Sequence, residues 1–233
     1  TYGKGLVQNV LPLSYNSRVQ AYLNVYVKKS PRRASRFLAL SDYYFPLFEQ
    51  VLAEHDLPYE LKYLPVIESA LNPNAVSRAG ATGLWQIMYR TGKHLGLEIN
   101  SYVDERRDPL MSSHAACRYL SDLYSVYEDW ILVIAAYNCG PGVVNRAIRR
   151  SGGKKNYWDL YYYLPRETRN YVPAFIAVSY MFEYAEAHGF RPDTLKLPVV
   201  TDTVMIREKL HFDQITAFTN IKTDALEFLN PQY

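Results

Sequence analysis

The sequence has few of the residues from which metal sites and disulfide frameworks are built. It contains two cysteines and five histidines in 233 residues. Cys117 and Cys139 lack the spacing of a metal site or a redox pair, and the histidines form no close ligand pattern. We therefore expect no metal and no other cofactor. The two cysteines are either free or bridged, because an oxidising compartment permits a disulfide where the Cα atoms lie close enough.

Strong net charge and long apolar runs are also missing. The 26 basic and 23 acidic residues leave a formal charge of +3, which is too small to indicate nucleic acid as a partner. No apolar run is long enough to span a bilayer, and no signal peptide is recognisable. Because the chain starts abruptly at Thr1-Tyr2, we expect a longer precursor whose upstream segment carries the export signal and could tether the protein to a membrane.

Residues 69–97 contain no Asp or Glu, so Glu68 has no acidic neighbour on its C-terminal side before Glu98. Glu68 itself ends the apolar stretch 64–67. Burial among apolar groups disfavours the charged form and raises the pKa of a glutamate, as a general acid near neutral pH requires. The alternative is a helix-end glutamate whose carboxylate is satisfied by backbone N–H groups.

A polar loop follows Glu68 over residues 72–88 and opens into a predicted helix. Gly80 and Gly83 permit a positive φ or a close backbone approach. Gln86 offers both a donor and an acceptor, which suits a sugar better than a phosphate.

Two later segments supply further polar groups. Residues 135–142 end an apolar helix with Tyr137 and Asn138 before a tight turn, so both side chains could face a cleft. Residues 165–173 begin another helix and supply Tyr171. Each segment is a weak signal when it is taken alone.

Together and in this order, these segments resemble the goose-type lysozyme and lytic transglycosylase family, in its membrane-bound lytic murein transglycosylase D branch. The matching elements are Glu68-Ser69, Gly83-Leu84-Trp85-Gln86, Ala136-Tyr137-Asn138 and Tyr171, preceded by the similar lead-in 57–65. The resemblance implies that Glu68 is the single catalytic acid and base. It also implies that the substrate is contacted by Ser69, Gln86, Met88, Tyr137, Asn138 and Tyr171.

The implied reaction cleaves the bond between N-acetylmuramic acid and N-acetylglucosamine. Protonated Glu68 gives its proton to the leaving oxygen, and the resulting carboxylate takes a proton from the C6 hydroxyl, which attacks C1 and closes a 1,6-anhydro ring. Tyr137 could stabilise the developing charge. Asn138, Ser69 and Gln86 would position the N-acetyl groups and the glutamate.

Two other functions stay open from the sequence. A two-carboxylate hydrolase of the same bond needs a partner acid, and Asp104, Glu105 and Asp108 could fold back over the cleft. Their arginine neighbours favour instead a salt-bridged helix cap, with Asp108 as the N-cap before Pro109. The second alternative is a cell-wall binding protein without activity.

The periodicity predicts an all-α chain with a lysozyme-like domain. The predicted helices span residues 17–28, 32–55, 84–95, 109–127, 130–137, 143–149 and 167–188. We expect an N-terminal helical extension packed on the core (1–56), the lysozyme-like catalytic domain (57–189), a linker (190–202) and a small C-terminal unit (203–233). The last is faintly similar to a sugar-binding LysM module but lacks its usual Gly-Asp-Thr turn, so a helical pair docked on the main domain is an equal alternative.

The resemblance also implies a setting for the protein. It implies a bacterial cell-envelope protein that is periplasmic and could be anchored to the outer membrane. The expected partners are peptidoglycan glycan strands, and we expect a monomer.

Overall fold

The computed structural model describes residues 11, 13–194, 201–206, 208–219 and 221–233, and in these ranges it contains helices and isolated β-bridges but no strand. The helices are α1 (Ser17–Leu23), α2 (Pro31–Glu54), α3 (Leu64–Ser69), α4 (Tyr89–His94), α5 (Pro109–Tyr127), α6 (Trp130–Cys139), α7 (Pro141–Arg150), α8 (Tyr157–Leu160), α9 (Arg166–Glu183), α10 (Phe212–Phe218) and α11 (Thr223–Leu229). A π-helix (Asn24–Lys29) follows α1, and 3₁₀ turns cover Tyr59–Tyr63 and Tyr161–Tyr163. The all-α prediction is confirmed.

Helix starts follow local sequence signals. The Asp108 carboxylate accepts hydrogen bonds from the Leu110 and Met111 N–H groups, each over 2.8 Å, and Pro109 occupies the first helical position of α5. The Asp129 carboxylate caps α6 in the same way through the Leu132 N–H. The predicted N-cap role of Asp108 is confirmed.

Helix α6 forms the centre of the core. Residues 130–136 of α6 are all buried, as expected for a helix that is apolar on every side. It packs against α5, α7 and α9. Its C-terminal end therefore carries Tyr137 and Asn138 to the edge of the core on a rigid support.

The first helices share that core. Helix α1 packs on α9, and α2 packs on α5. The Phe48 ring of α2 lies 5.2 Å from the Trp85 ring, centroid to centroid, and both side chains are fully buried. Residues 1–10 and 12 of the predicted extension lie outside the described residues.

The C-terminal residues contact both the N-terminal extension and the domain 57–189. The Tyr43 and Phe228 rings lie 5.5 Å apart, and the Asp104 N–H donates to the Gln232 carbonyl over 2.8 Å. In the predicted linker, the Asp193 N–H donates to the Ser35 carbonyl, while residues 195–200 lie outside the described part. The two helices α10 and α11 suit the helical-pair interpretation, and the LysM-like interpretation stays a prediction.

Two predicted helices have wrong boundaries. The predicted helix 84–95 is helical over Tyr89–His94, because Gln86 has a φ of +49° and residues 82 and 87 pair in a β-bridge. The predicted helix 167–188 runs from Arg166 to Glu183. Turns follow, closed by a 2.9 Å hydrogen bond from the Phe190 N–H to the Ala185 carbonyl.

No single helix in the described ranges is both long and apolar enough to cross a membrane. Taken together, α6 and α7 have the length and composition of a span, but they are bent by 116° at the break between them.

Candidate active site

Glu68 lies in the last turn of α3, where the chain reverses sharply. Ala70 and Leu71, two and three residues after Glu68, have φ values of +55° and +60°. Such a conformation costs a residue with a side chain about 1–2 kcal/mol and is often found at functional sites. The surrounding fold therefore holds the end of α3, and with it Glu68, in a defined place.

The Glu68 carboxyl is a weak acid in this environment. Burial raises the pKa of this carboxyl, a hydrogen bond from Tyr171 opposes the rise, and the nearby charge of Glu167 adds to it, so that the pKa is about 7. The predicted rise in the pKa of Glu68 is thus confirmed. A carboxyl with a pKa near the working pH can both give and take a proton.

Tyr171 makes the closest contact to this carboxyl. Its hydroxyl donates to Glu68 Oε1 over 2.5 Å from the buried face of α9. Burial and the Glu68 charge raise the pKa of Tyr171 well above its ordinary value, so the phenol keeps its proton. Since Tyr171 occupies Oε1, the other carboxyl oxygen of Glu68 is the one left for a proton that moves to substrate.

Tyr137 also lies close to Glu68. Burial and the Glu68 charge raise the pKa of Tyr137 well above its ordinary value. Its hydroxyl donates to the Trp85 carbonyl over 2.8 Å. This hydrogen bond joins α6 to the loop after Gly83 and uses the donor of the Tyr137 hydroxyl. The hydroxyl oxygen can therefore act only as an acceptor toward a ligand.

Asn138 is fixed by a residue that the sequence did not single out. The Thr168 hydroxyl of α9 donates to Asn138 Oδ1 over 2.9 Å. The amide N–H groups of Asn138 are consequently the free donors. Its position in the sequence could have indicated it, because Thr168 lies three residues before Tyr171 in the segment 165–173.

The loop 72–88 is tied to α3 and to itself. The Ser69 hydroxyl is buried and lies 3.0 Å from the Pro65 carbonyl and 2.9 Å from the Leu84 carbonyl. Gln86 Nε2 donates to the Ala75 and Gly83 carbonyls, over 3.1 and 3.0 Å. Ser69 thus joins the helix that carries Glu68 to this loop, and Gln86 keeps its carbonyl oxygen as an acceptor.

A buried ion pair supports the same loop from outside. Arg106 is 8% exposed, and its Nη2 lies 2.7 Å from Asp104 Oδ2. Burial opposes the charge of Asp104, but the Arg106 guanidinium outweighs it and holds the pKa of Asp104 below its ordinary value. Arg106 Nη1 also donates to the Gly80 carbonyl over 3.0 Å. The salt-bridged interpretation of this acidic and basic turn is confirmed for Asp104.

The other two acids of that turn are also occupied. Asp108 caps α5, and Glu105 Oε2 accepts a hydrogen bond from the Glu98 N–H over 2.7 Å. The sequence did not single out Glu167, the acid whose charge reaches Glu68. It is exposed in the first turn of α9, one turn before Tyr171.

A cavity of about 250 Å³ opens beside these residues. We call it the site cavity; it is lined by Gln86, Ile87, Met88, Thr91, Leu95, Ala116, Tyr119, Tyr137, Asn138, Cys139 and Gly140. The structure therefore brings together four of the predicted substrate-binding residues, namely Gln86, Met88, Tyr137 and Asn138. Glu68, Ser69 and Tyr171 do not line this cavity, and Tyr137 connects the two groups.

The described residues contain no candidate group of metal ligands, and both cysteines lie within them. Within them, no three His, Cys, Asp or Glu side chains are grouped so that they could hold a metal ion. Cys117 is a buried free thiol, and Cys139 is a half-buried one.

Residues 46–159 match the profile of the transglycosylase SLT domain family. Over 219 residues the chain is 31% identical to membrane-bound lytic murein transglycosylase D of Escherichia coli K12, a match that covers 92% of this chain and 48% of that protein. The chain therefore spans about half the length of this curated relative.

Solved structures of soluble lytic transglycosylases have a similar fold. The 70-kDa soluble lytic transglycosylase of Escherichia coli matches with a TM-score of 0.54 and 26% identity, over 75% of this chain and 32% of that one. A complex of the 70-kDa soluble lytic transglycosylase with bulgecin A matches with a TM-score of 0.56 and 20% identity, over 79% of this chain and 38% of that one. The helical domain described above is thus lysozyme-like.

Proposed function

We propose that the protein is a peptidoglycan lytic transglycosylase, on the premise that residues 46–159 match the transglycosylase SLT domain family. It cleaves the β-1,4 bond between N-acetylmuramic acid and N-acetylglucosamine and leaves 1,6-anhydromuramic ends. The observation that carries this proposal is the Glu68 carboxyl, whose pKa of about 7 and 2.5 Å hydrogen bond from Tyr171 suit one group that serves as acid and then as base.

The first step is proton donation. At neutral pH a large share of Glu68 is protonated, and Tyr171 holds Oε1, so the proton leaves from Oε2 toward the glycosidic oxygen. As that bond breaks, positive charge develops on the muramoyl ring. The Glu68 carboxylate formed at this point stabilises the charge, because a buried site screens it weakly.

The second step uses the same carboxylate as a base. Glu68 takes the proton of the muramoyl C6 hydroxyl, whose oxygen attacks C1 and closes the anhydro ring. No water enters the reaction, and Glu68 recovers its proton for the next cycle.

The residues of the site cavity hold the sugars. The Gln86 carbonyl oxygen accepts from hydroxyl or amide groups, and the Asn138 amide donates to them. Met88 and Tyr137 give the apolar surface that a sugar ring contacts. Ser69 acts indirectly, by fixing the end of α3 against the Leu84 carbonyl.

Hydrolysis of the same bond is the second candidate function. The observation that favours it is the effect of the Glu167 charge on Glu68. Because this charge reaches Glu68, Glu167 is the described carboxylate best placed to activate a water. Asp104, Glu105 and Asp108 are engaged in an ion pair, a hydrogen bond and a helix cap, respectively. These contacts argue against any of the three as the base.

The relatives that are called membrane-bound support a place in the bacterial cell envelope. We place the protein in the periplasm, anchored to the outer membrane, with peptidoglycan glycan strands as its partner.

Mass spectrometry of the products decides between the two reactions. Purified peptidoglycan is digested with the protein, and the released muropeptides are weighed before and after borohydride reduction. A lytic transglycosylase gives anhydro products that are lighter by one water and resist reduction. Reducible ends mean a hydrolase, and the absence of released products would contradict both enzymatic functions.

A further inference from the structure

A second cavity lies beside the site cavity. It has a volume of about 450 Å³, within the range of roughly 300–1,000 Å³ that is usual for ligand pockets. Its lining consists of His55, His94, Leu95, Gly96, Arg118, Ser121 and Asp122. Leu95 lines both cavities, so the two cavities adjoin at this residue.

Helix α5 also runs along both cavities, and its side chains differ between them. Ala116 and Tyr119 of α5 line the site cavity, whereas Arg118, Ser121 and Asp122 line the second cavity. The first surface is apolar and aromatic, as a sugar ring requires. The second is charged and carries both signs.

Arg118 is held at the junction of the two cavities. One of its terminal nitrogens donates to the Leu95 carbonyl over 2.7 Å, and no carboxylate of the described residues lies within 4.0 Å of the guanidinium. A guanidinium has five N–H donors in a fixed fork, so Arg118 keeps donors for a ligand carboxylate.

Two histidines, His55 and His94, also line the second cavity. His55 Nε2 lies 3.1 Å from His114 Nδ1, so these two rings share one proton between them. Burial, then His114, then Arg118 lower the pKa of His55 below its ordinary value. His55 and Arg118 line the same cavity. Asp122, one helical turn after Arg118, supplies the opposite charge.

We propose that the second cavity binds the short peptide carried by the muramic acid of the substrate, with Arg118 on a peptide carboxylate and Asp122 on a peptide amine. This rests on the proposed function. The glycan backbone lacks amines, and the carboxylates of the peptidoglycan substrate lie in the peptide stems. A cavity that presents separated positive and negative groups next to the sugar site therefore matches the stem and not the glycan.

Direct binding tests the proposal without any turnover. The probe is the synthetic tetrapeptide L-alanyl-γ-D-glutamyl-meso-diaminopimelyl-D-alanine, titrated into the protein while the histidine imidazole signals are followed by NMR. We expect saturable shifts at His55 and His94, and none at His188 and His211, which line neither cavity. The Arg118→Gln variant should bind at least about fivefold more weakly.

The matched control is Arg149→Gln, which removes the same charge from the exposed end of α7. It should bind the tetrapeptide as the wild type does. Absence of shifts at His55 and His94, or equal weakening in both variants, would overturn the proposal.

A product assay separates this proposal from the proposed function. Anhydro products are counted from peptidoglycan with its stems and from glycan stripped of stems by an amidase. In Arg118→Gln the ratio of kcat/KM for stemmed over stripped glycan should fall about fivefold, and in Arg149→Gln it should equal that of the wild type. An equal loss on both substrates would contradict the stem site, whereas a wild-type protein that releases anhydro products from neither would contradict the proposed function.

Discussion

The Tyr171 hydroxyl donates to Glu68 Oε1 over 2.5 Å, although the two residues are 103 positions apart. This bond stabilises the charged carboxylate, and burial destabilises it. Burial is the larger effect, which is why the pKa of Glu68 settles at about 7 and not near its ordinary 4.5. The two residues therefore set the pH range in which Glu68 can act as an acid.

Removing the Tyr171 hydroxyl should raise the pKa of Glu68. In Tyr171→Phe the ring still fills its buried site, but the carboxylate loses a charge-assisted hydrogen bond, which corresponds to about one to two pH units. The alkaline limb of the kcat/KM profile should move to higher pH by this amount. A carbon-13 titration of the Glu68 carboxyl measures the same pKa directly. A shift to lower pH in either measurement would contradict the assigned bond.

Removing the Glu167 charge should act in the opposite direction. Glu167 repels the Glu68 carboxylate, so Glu167→Gln lowers the pKa of Glu68. Because Glu167 is exposed, we expect a shift of a few tenths of a unit, which shrinks as salt is added. The exposed Glu227 serves as the matched control, since Glu227→Gln removes an equal charge on α11. Complete loss of activity in Glu167→Gln would instead identify this residue as a catalytic base.

The raised pKa of Glu68 should also make stability depend on pH. A carboxyl that titrates near 7 when folded and near 4.5 when unfolded binds its proton more tightly in the folded state, so the protein loses stability as pH rises from about 4.5 to 7. Glu68→Gln cannot titrate. The difference in the free energy of unfolding between Glu68→Gln and the wild type should therefore change in favour of the variant by on the order of 2–3 kcal/mol from pH 5 to pH 8. Urea unfolding at the two pH values measures this difference, and an equal difference at both would contradict the raised pKa.

The sequence was sufficient to predict the environment of Glu68, because the apolar residues around it are adjacent in the chain. It was equally sufficient for the cap at Asp108, where the signal is a carboxylate next to a proline. Both features depend on neighbours within one helical turn, and both are confirmed.

The partners of the site residues could not be predicted in this way. The contacts from Thr168 to Asn138 and from Tyr171 to Glu68 depend on how α9 packs against α6 and α3, which no local pattern specifies. The same holds for the start of α4. Residues 84–88 have an apolar pattern suited to a helix, but the turn that begins at Gly83 imposes a different backbone.

Gly83 should be intolerant of any side chain. A Cβ at this position would lie 1.7 Å from the Arg106 carbonyl oxygen, and the φ is +86°. Gly83→Ala should therefore destabilise the protein by more than about 3 kcal/mol and displace the loop that carries Gln86.

Gly80 provides the control for this substitution. Its φ is +82°, but nothing lies within 4 Å of a Cβ there, so Gly80→Ala should cost only the backbone strain of about 1–2 kcal/mol. Thermal unfolding of both variants measures the difference, and equal losses would mean that the close approach to Arg106 is unimportant.

The most direct test of the central claim is the release of anhydromuropeptides by wild-type protein and by Glu68→Gln. The substitution keeps the shape of the side chain and removes the transferable proton, so the rate should fall by at least about 10²–10⁴-fold while circular dichroism stays unchanged. Anhydro products from the wild type and almost none from the folded variant are the predicted result. A folded Glu68→Gln protein that releases anhydro products at the wild-type rate would contradict the assignment of Glu68 as the catalytic acid.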